Sequence, residues 1–280
     1  MAAEKISLLN TLLGLSMIVE ARDPYTGGHL WRVSQFSRLL AEKAGWSRRN
    51  VALCEIGGFL HDLGKVGVPD AILNKPDRLS AAEFAIIKTH PAVGGRLLAN
   101  HPLAKLAMDA VVAHHERPDG QGYPHGMAGD VIPEVARIVG IADAFDAMTS
   151  TRAYRQGMPM EKALAIIGNE MGSQFDTELA RHFLQLEKSE QLAHIVGHSE
   201  LGLPLHPCAA CGAPVVIRSA QRDGEHLYCR CCGGESRLHL HGTTRQLEMT
   251  GERGDAAALA PDCDTDLIGA MVDTIAPVVF

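Results

Sequence analysis

The chain has 280 residues, 46% of them hydrophobic and 5% aromatic, with a formal net charge of −7 at pH 7. That length and apolar fraction support one large domain with a smaller appendage; an acidic balance without basic blocks argues against a nucleic-acid duplex as partner, though a small anion could meet a local cationic patch. The opening Met1-Ala2-Ala3-Glu4-Lys5 lacks a cationic leader, and Glu20 and Arg22 close the apolar stretch within one helix, so neither signal peptide nor membrane span is expected and the chain reads as cytoplasmic.

Residues 4–22 carry Leu8, Leu12, Leu15 and Val19 at helical spacing, an amphipathic opening helix (residues 1–22) that packs on the core or on a partner, including a second copy of the chain. After the turn Asp23-Pro24-Tyr25-Thr26-Gly27-Gly28, His29 heads a second helical pattern with Val33, Phe36 and Leu40 on one side. The apolar run Val51 to Leu60 predicts a buried helix ending in His61-Asp62, with Gly64 and Pro69 as its stop. Ser80-Ala81-Ala82-Glu83 has the capping-box pattern and starts a helix ending near His90-Pro91. A further apolar-periodic segment, 102–116, ends in His114-His115-Glu116, and the turn-rich run Pro118 to Gly126 follows. Helix resumes from Glu134 to Ser150, with Asp143 and Asp146 along it, and again near Met160–Met171 and Asp176–Glu190. No convincing strand precedes residue 200.

Beyond Gly202 the character changes. Pro214 to Arg218 and Ser236 to His241 look like short strands of a separate module at 204–245, and 246–280 is expected to be an irregular tail.

A lone histidine at a helix end is more often a cap than a ligand. Here His29, His61, Asp62, His90, His114, His115 and Asp143 come from several segments of one apolar bundle, and unpaired polar groups there are costly unless they share a purpose. Imidazole and carboxylate ligands together suit first-row divalent metals such as Fe, Mn, Co, Ni or Zn.

At the level of longer motifs, the chain resembles the HD-GYP branch of the HD-superfamily phosphohydrolases. The resemblance rests on Asp23 to His29, His61 to Leu73, His90-Pro91, His114 to Pro124, Asp143 to Ser150, and Arg152-Ala153-Tyr154-Arg155, in the family's order. It implies an all-α helical bundle of HD-GYP type over residues 23–195, a dinuclear metal site, and hydrolysis of cyclic di-GMP to pGpG or GMP. Carried onto these positions, it puts His29, His61, Asp62 and Asp143 on one metal and His90, His114 and His115 on the other, with Asp62 bridging. Fe or Mn fits best; Ni, Co or Zn would also fit. The family pattern further makes Asp62 and Lys65 catalytic, and Asp23, Lys65, Tyr123, Asp146, Arg152 and Arg155 substrate contacts. Lys65, Arg152 and Arg155 could instead be surface cations. Tyr123, in the Gly122-Tyr123-Pro124 loop, could line the pocket or meet a protein partner such as a diguanylate cyclase of GGDEF type. Some relatives hold a third metal through a Glu where this chain has Tyr25, which favours two metals.

Cys208-Ala209-Ala210-Cys211 and Cys229-Arg230-Cys231-Cys232 are two C-x2-C pairs 17 residues apart, each followed by glycine, Gly212 and Gly233. That spacing brings four thiolates, Cys208, Cys211, Cys229 and Cys232, around one structural zinc in a zinc-ribbon-like β module. Cys231 is left over as a competing ligand. The leading expectation is a cyclic di-GMP phosphodiesterase. A hydrolase of another nucleotide, and a receptor or docking scaffold with little turnover, stand beside it.

Overall fold

The computed structural model describes residues 2–23, 26–75, 77–151 and 155–280, with the side chain of residue 189 excepted. Among these residues the helices run α1 (Ala2–Glu20), α2 (His29–Lys43), α3 (Arg48–Leu60), α4 (Asp70–Leu73), α5 (Ala81–Ile87), α6 (His90–Leu98), α7 (Met108–Ala113), α8 (Glu134–Thr149), α9 (Met160–Asn169), α10 (Thr177–Leu184) and α11 (Thr265–Val279).

Helix α2 is the centre of the bundle, packed against α3 and α8. Its apolar face is wide: Leu30, Val33, Phe36, Leu39 and Leu40 are all buried. Phe36, Phe145 and Phe183 meet edge to face, with centroids 5.0 Å apart for Phe36–Phe145 and Phe145–Phe183, the geometry in which a ring's positive edge meets a negative face. Phe145→Ala is expected to cost about 3–5 kcal/mol, because three helices surround the void it would leave; urea denaturation measures it.

Helix ends are set by local chemistry. Ser80 accepts from the Glu83 amide at 3.2 Å while the Glu83 carboxylate accepts from the Ser80 amide at 2.7 Å, a complete capping box. Ser47 caps α3 by accepting from the Asn50 amide. Helix α1 is apolar and long enough to span a bilayer by length and composition alone, but here Leu9, Leu12, Leu13 and Val19 are buried against the rest of the chain.

The strands are short and antiparallel. β1 (His198–Glu200) pairs with β2 (Leu203–Pro204), and β3 (His206–Pro207) with β4 (Pro214–Val215). β5 (His226–Tyr228), β6 (Gly234–His241) and β7 (Thr244–Arg253) form a sheet in the order β5-β6-β7, with Tyr228 opposite Glu235 and His241 opposite Thr244. This module has a small core of its own, with Ala213, Val215, Ile217, Leu227 and Leu238 buried beside Cys208 and Cys229.

The expected irregular tail at 246–280 is a misreading. Residues 244–253 continue the hairpin as β7, and α11 docks on α1 and α3. Asp264 caps α11 by accepting from the Leu267 amide at 3.0 Å, and Leu267, Ile268, Met271, Val272, Ile275, Ala276 and Val279 form its buried stripe. Pro277 sits in the last turn of α11 and does not prevent helix formation before it. Arg49 donates to the Val279 carbonyl at 2.6 Å, which ties the end of α11 to the start of α3.

Candidate metal centre

Each imidazole of the cluster is delivered by a helix end. His29 opens α2, His61 caps the end of α3, His90 opens α6, and His114 caps α7 with His115 next to it. Asp62 starts the 3-10 turn after α3, and Asp143 projects from α8. Side-chain ligand atoms of His29, His61 and Asp143 lie within 4.8 Å of one another, as do those of His90, His114 and His115, and those of His61, Asp62 and His114.

The hydrogen bonds behind the rings decide what faces inward. The Nδ1 atoms of His61, His90 and His114 lie 2.7, 2.9 and 2.9 Å from the carbonyls of Gly58, Ile87 and Ala110. A carbonyl cannot donate, so each Nδ1 carries a proton and each ring turns its Nε2 inward, the atom left to offer a lone pair to a metal. His90 Nε2 then lies 3.2 Å from His114 Nε2. Two acceptors that close repel unless a cation lies between them. For metal–nitrogen bonds of about 2.1 Å, neighbouring ligands are about 3.0–3.4 Å apart, so the separation suits two ligands of one ion. Among the described residues, buried His61 Nε2 has no hydrogen-bond partner. Burial is the main reason the His90 and His114 imidazoles are depressed, and it holds His115 down to about 3, so the three rings are neutral and able to ligate.

Asp62 joins the two sets. Its Oδ2 lies 3.4 Å from His29 Nε2 and 3.3 Å from His61 Nε2, while Oδ1 lies 3.4 Å from His90 Nε2. Asp143 Oδ1 completes the first set at 3.6 Å from His29 and 3.8 Å from His61. Burial opposes ionisation of both carboxyls, but His61 with Lys65 for Asp62, and His61 with His29 for Asp143, hold them below the ordinary carboxylate range. Burial also works against charging His29, yet the Asp146 and Asp62 carboxylates raise it to about 9; the field that favours a proton there also favours a metal ion. The donor set fits divalent metals of the nitrogen- and oxygen-preferring kind.

The other expected site residues divide. Asp23 and Lys65 line the same small pocket as His29 and Asp62, about 10 Å³ in volume, and Lys65 Nζ is 2.5 Å from Asp62 Oδ2. Tyr123 stacks on His115, with centroids 4.6 Å apart and planes at 29°, and Lys88 Nζ lies 5.7 Å from the Tyr123 ring centroid. Exposed Arg155 donates to the Ala147 carbonyl; Arg152 lies outside the described residues. Asp146 departs from the expected substrate contact. It is 1% exposed and its oxygens meet His29 Nδ1 at 2.7 Å and Arg32 Nε at 2.5 Å, so it stands buried behind the His29 ring, engaged on both oxygens.

Three supporting residues escaped the sequence reading. Arg32 grips Asp146; its signal was a charge three residues after His29 on an apolar helix face. Arg22 donates to the carbonyls of Lys65, Val66 and Val68 at 3.2, 3.1 and 2.9 Å, pinning the loop that carries Asp62. Glu116 accepts from the amides of His125 and Met127 at 2.7 and 2.9 Å and so holds the Tyr123 loop. Close approach matters as well: a Cβ on Gly64 would lie 1.9 Å from the His90 carbonyl oxygen and 2.5 Å from the Gly94 nitrogen. Both obstacles are backbone, so Gly64→Ala is expected to shift α6 and His90 with it, costing about 1–3 kcal/mol in urea denaturation and weakening metal retention.

The cysteine cluster is separate. Cys208 Sγ is 3.7 Å from Cys232 Sγ, and Cys211 Sγ is 3.5 Å from Cys229 Sγ; all four sulfurs lie within 4.8 Å. A zinc tetrahedron with bonds of about 2.3 Å has edges of about 3.8 Å. The two knuckles match: the Gly212 amide donates to Cys208 O at 2.8 Å and the Gly233 amide to Cys229 O at 2.7 Å, with both glycines at positive φ, 75° and 73°. Burial pushes the Cys208 thiol up, but the Cys211 and Ala210 backbone amides and neighbouring thiols bring it to about 7. Cys231 is not part of the four-sulfur set.

An all-α bundle with an imidazole–carboxylate cluster at the converging ends of its helices is the class that this fold and site define. The chain belongs to the HD domain family, whose model matches residues 14–179. It is 40% identical over 184 residues to a cyclic di-GMP phosphodiesterase response regulator of Xanthomonas campestris pv. campestris, a match covering 64% of this chain and 49% of that protein. It is 41% identical over 183 residues to a cyclic di-GMP phosphodiesterase of Thermotoga maritima, covering 65% and 50%, and 39% identical over 175 residues to a 3'3'-cGAMP-specific phosphodiesterase of Vibrio cholerae, covering 62% and 37%. The chain thus spans about half the length of the first two relatives. The crystal structure of a V. cholerae cyclic GMP-AMP specific phosphodiesterase shares the fold, with a TM-score of 0.50 at 20% identity over 76% of this chain and 56% of that one.

Proposed function

We propose that this protein is a metal-dependent phosphodiesterase of the HD-GYP type that opens cyclic di-GMP to pGpG, with GMP as a further product. The observation that carries the reading is Asp62, whose two oxygens face two different histidine sets. In this reading His29, His61, Asp62 and Asp143 hold one divalent metal, His90, His114, His115 and Asp62 the other, and both are Fe or Mn. When bound, the pair supplies an activated water and neutralises charge developing on the phosphoryl oxygens. The chain's own residues do the rest. Asp146 and the carbonyls of Gly58, Ile87 and Ala110 fix ring orientation. Lys65 holds Asp62 and is the cation nearest an incoming phosphate; Asp23 shares its pocket. Tyr123, stacked on His115, serves the pocket side of its loop. Arg155, with Arg152, is the candidate for the outer phosphate or base.

The four cysteines hold one structural zinc. A reducing, cytoplasmic setting is consistent with seven cysteines that carry no disulfide in this structure. A second substrate reading is a mixed cyclic dinucleotide, favoured by the identity to the 3'3'-cGAMP-specific relative. The test is hydrolysis of cyclic di-GMP and 3'3'-cGAMP by anaerobically purified protein under Mn and Fe supplementation, alongside metal analysis. Turnover of the first with two metals beyond zinc supports the proposal. Metal content limited to one zinc, with neither substrate cleaved under any metal, would refute it.

A further inference from the structure

We propose that the C-terminal module acts as a clamp on the His29 half of the metal centre, with Arg32 as the positioning residue through which its docking reaches the ligands. This rests on the metal-centre reading above.

Arg32 is 1% exposed and every part of its fork is engaged. Nε and Nη2 hold the two oxygens of Asp146 at 2.5 and 3.1 Å, and Asp146 Oδ2 in turn lies 2.7 Å from His29 Nδ1. Nη2 also donates to Ser150 Oγ at 3.1 Å. Nη1 points the other way and divides itself between the carbonyls of Gly27 at 2.9 Å and His198 at 2.8 Å. His198 begins β1, beyond the residues matched by the HD domain model. One guanidinium therefore links a ligand's orienting carboxylate, the loop entering α2, and the first strand of the C-terminal part. A planar fork holding a carboxylate bidentately fixes its plane as well as its position.

The loop itself is gripped from the same side. A Cβ on Gly28, at φ 73°, would lie 2.6 Å from Ser199 Cα, and one on Gly27 would lie 2.6 Å from Val216 Cγ2. Those approaches leave no slack between the loop and the module. Farther back, Arg230, which stands inside the second cysteine knuckle, reaches the Ala21 carbonyl at 3.4 Å. Between these points lies a cavity of about 480 Å³, walled by Glu20, Asp23 and Trp31 on one side and Arg218, Tyr228 and Arg230 on the other. The module thus touches the ligand-bearing loop at discrete points around a cavity, and a shift of the knuckle is transmitted to those points rather than absorbed by a continuous core. Integrity of the cysteine cluster, through Arg230 and β1, then sets how well His29 is placed.

The test uses the full-length protein and two variants, Arg32→Lys, which keeps the charge and loses the fork, and Arg230→Ala, at the module's half-buried edge. Manganese titration reads the two sites, and amide hydrogen exchange of residues 26–32 reads the loop without reference to metal. Arg32→Lys is expected to weaken one of the two manganese sites by about 10–100-fold, the range for loss of an orienting partner, while sparing the other. Arg230→Ala is expected to change both readouts in the same direction by a smaller factor, with faster exchange across 26–32. Unchanged exchange and unchanged manganese affinity in Arg230→Ala would overturn the clamp, and that variant decides the matter if Arg32→Lys does not fold. If the unsubstituted protein takes neither manganese nor iron, the metal-centre reading falls, and the exchange data alone then decide for or against the clamp.

Discussion

Asp62→Asn is expected to empty both metal positions together and lower turnover by on the order of 10³-fold or more, while leaving the helical bundle folded. The reason is geometric. Oδ2 faces His29 and His61 at 3.4 and 3.3 Å, and Oδ1 faces His90 at 3.4 Å. Asparagine has nearly the same shape, but it replaces one oxygen with an NH2 donor and removes the charge that lies between the two histidine sets. Whichever way the amide turns, one set meets hydrogens where it met a lone pair. His115→Ala makes the contrast: it removes a ligand from the His90–His114 group alone and is expected to spare the His29 half. Metal analysis of the two variants beside the unsubstituted protein separates the cases. Retention of one metal at full occupancy in Asp62→Asn would show that Asp62 serves a single site.

Most of the candidate cluster was legible in the sequence because its members are adjacent or motif-bound: His61-Asp62 and His114-His115 are dipeptides at the ends of apolar runs, and His29 and His90 sit where helices begin. The support behind them was not. Asp146 follows Asp143 by three residues on α8, so both share a face and the sequence does not say which looks toward metal and which toward α2. Packing decides it, since Arg32 from α2 occupies Asp146. Arg22 and Glu116 act on backbone groups of distant loops, and backbone acceptors leave no trace in composition. The tail was misjudged for a different reason. Its Asp-, Ala- and Gly-rich start at 254–264 suggested irregular chain, whereas the stripe Leu267, Ile268, Met271, Val272, Ile275 has the 3-4 spacing of a packed helix.

Cys229→Ser is expected to abolish zinc binding and strip ordered structure from residues 206–253 while most of the helical signal survives. The module's buried apolar set is small, Ala213, Val215, Ile217, Leu227 and Leu238 beside two of the cysteines, and a core of that size does not offset the conformational entropy of its strands. Structural zinc contributes apparent binding energies of about 10–16 kcal/mol in small finger peptides, enough to decide whether such a unit folds. Serine keeps the shape of cysteine but not a thiolate, and the second knuckle then offers Cys232 alone from the original pair. Cys231 is half-buried and one residue from Cys232, too near in sequence to close the same knuckle from Cys229's position. Cys231→Ser should therefore keep one zinc per chain and the exchange protection of β5 to β7. Metal analysis and hydrogen exchange on the two variants distinguish them: full zinc content in Cys229→Ser would mean that Cys231 substitutes as ligand, and the assignment of the four sulfurs would have to change.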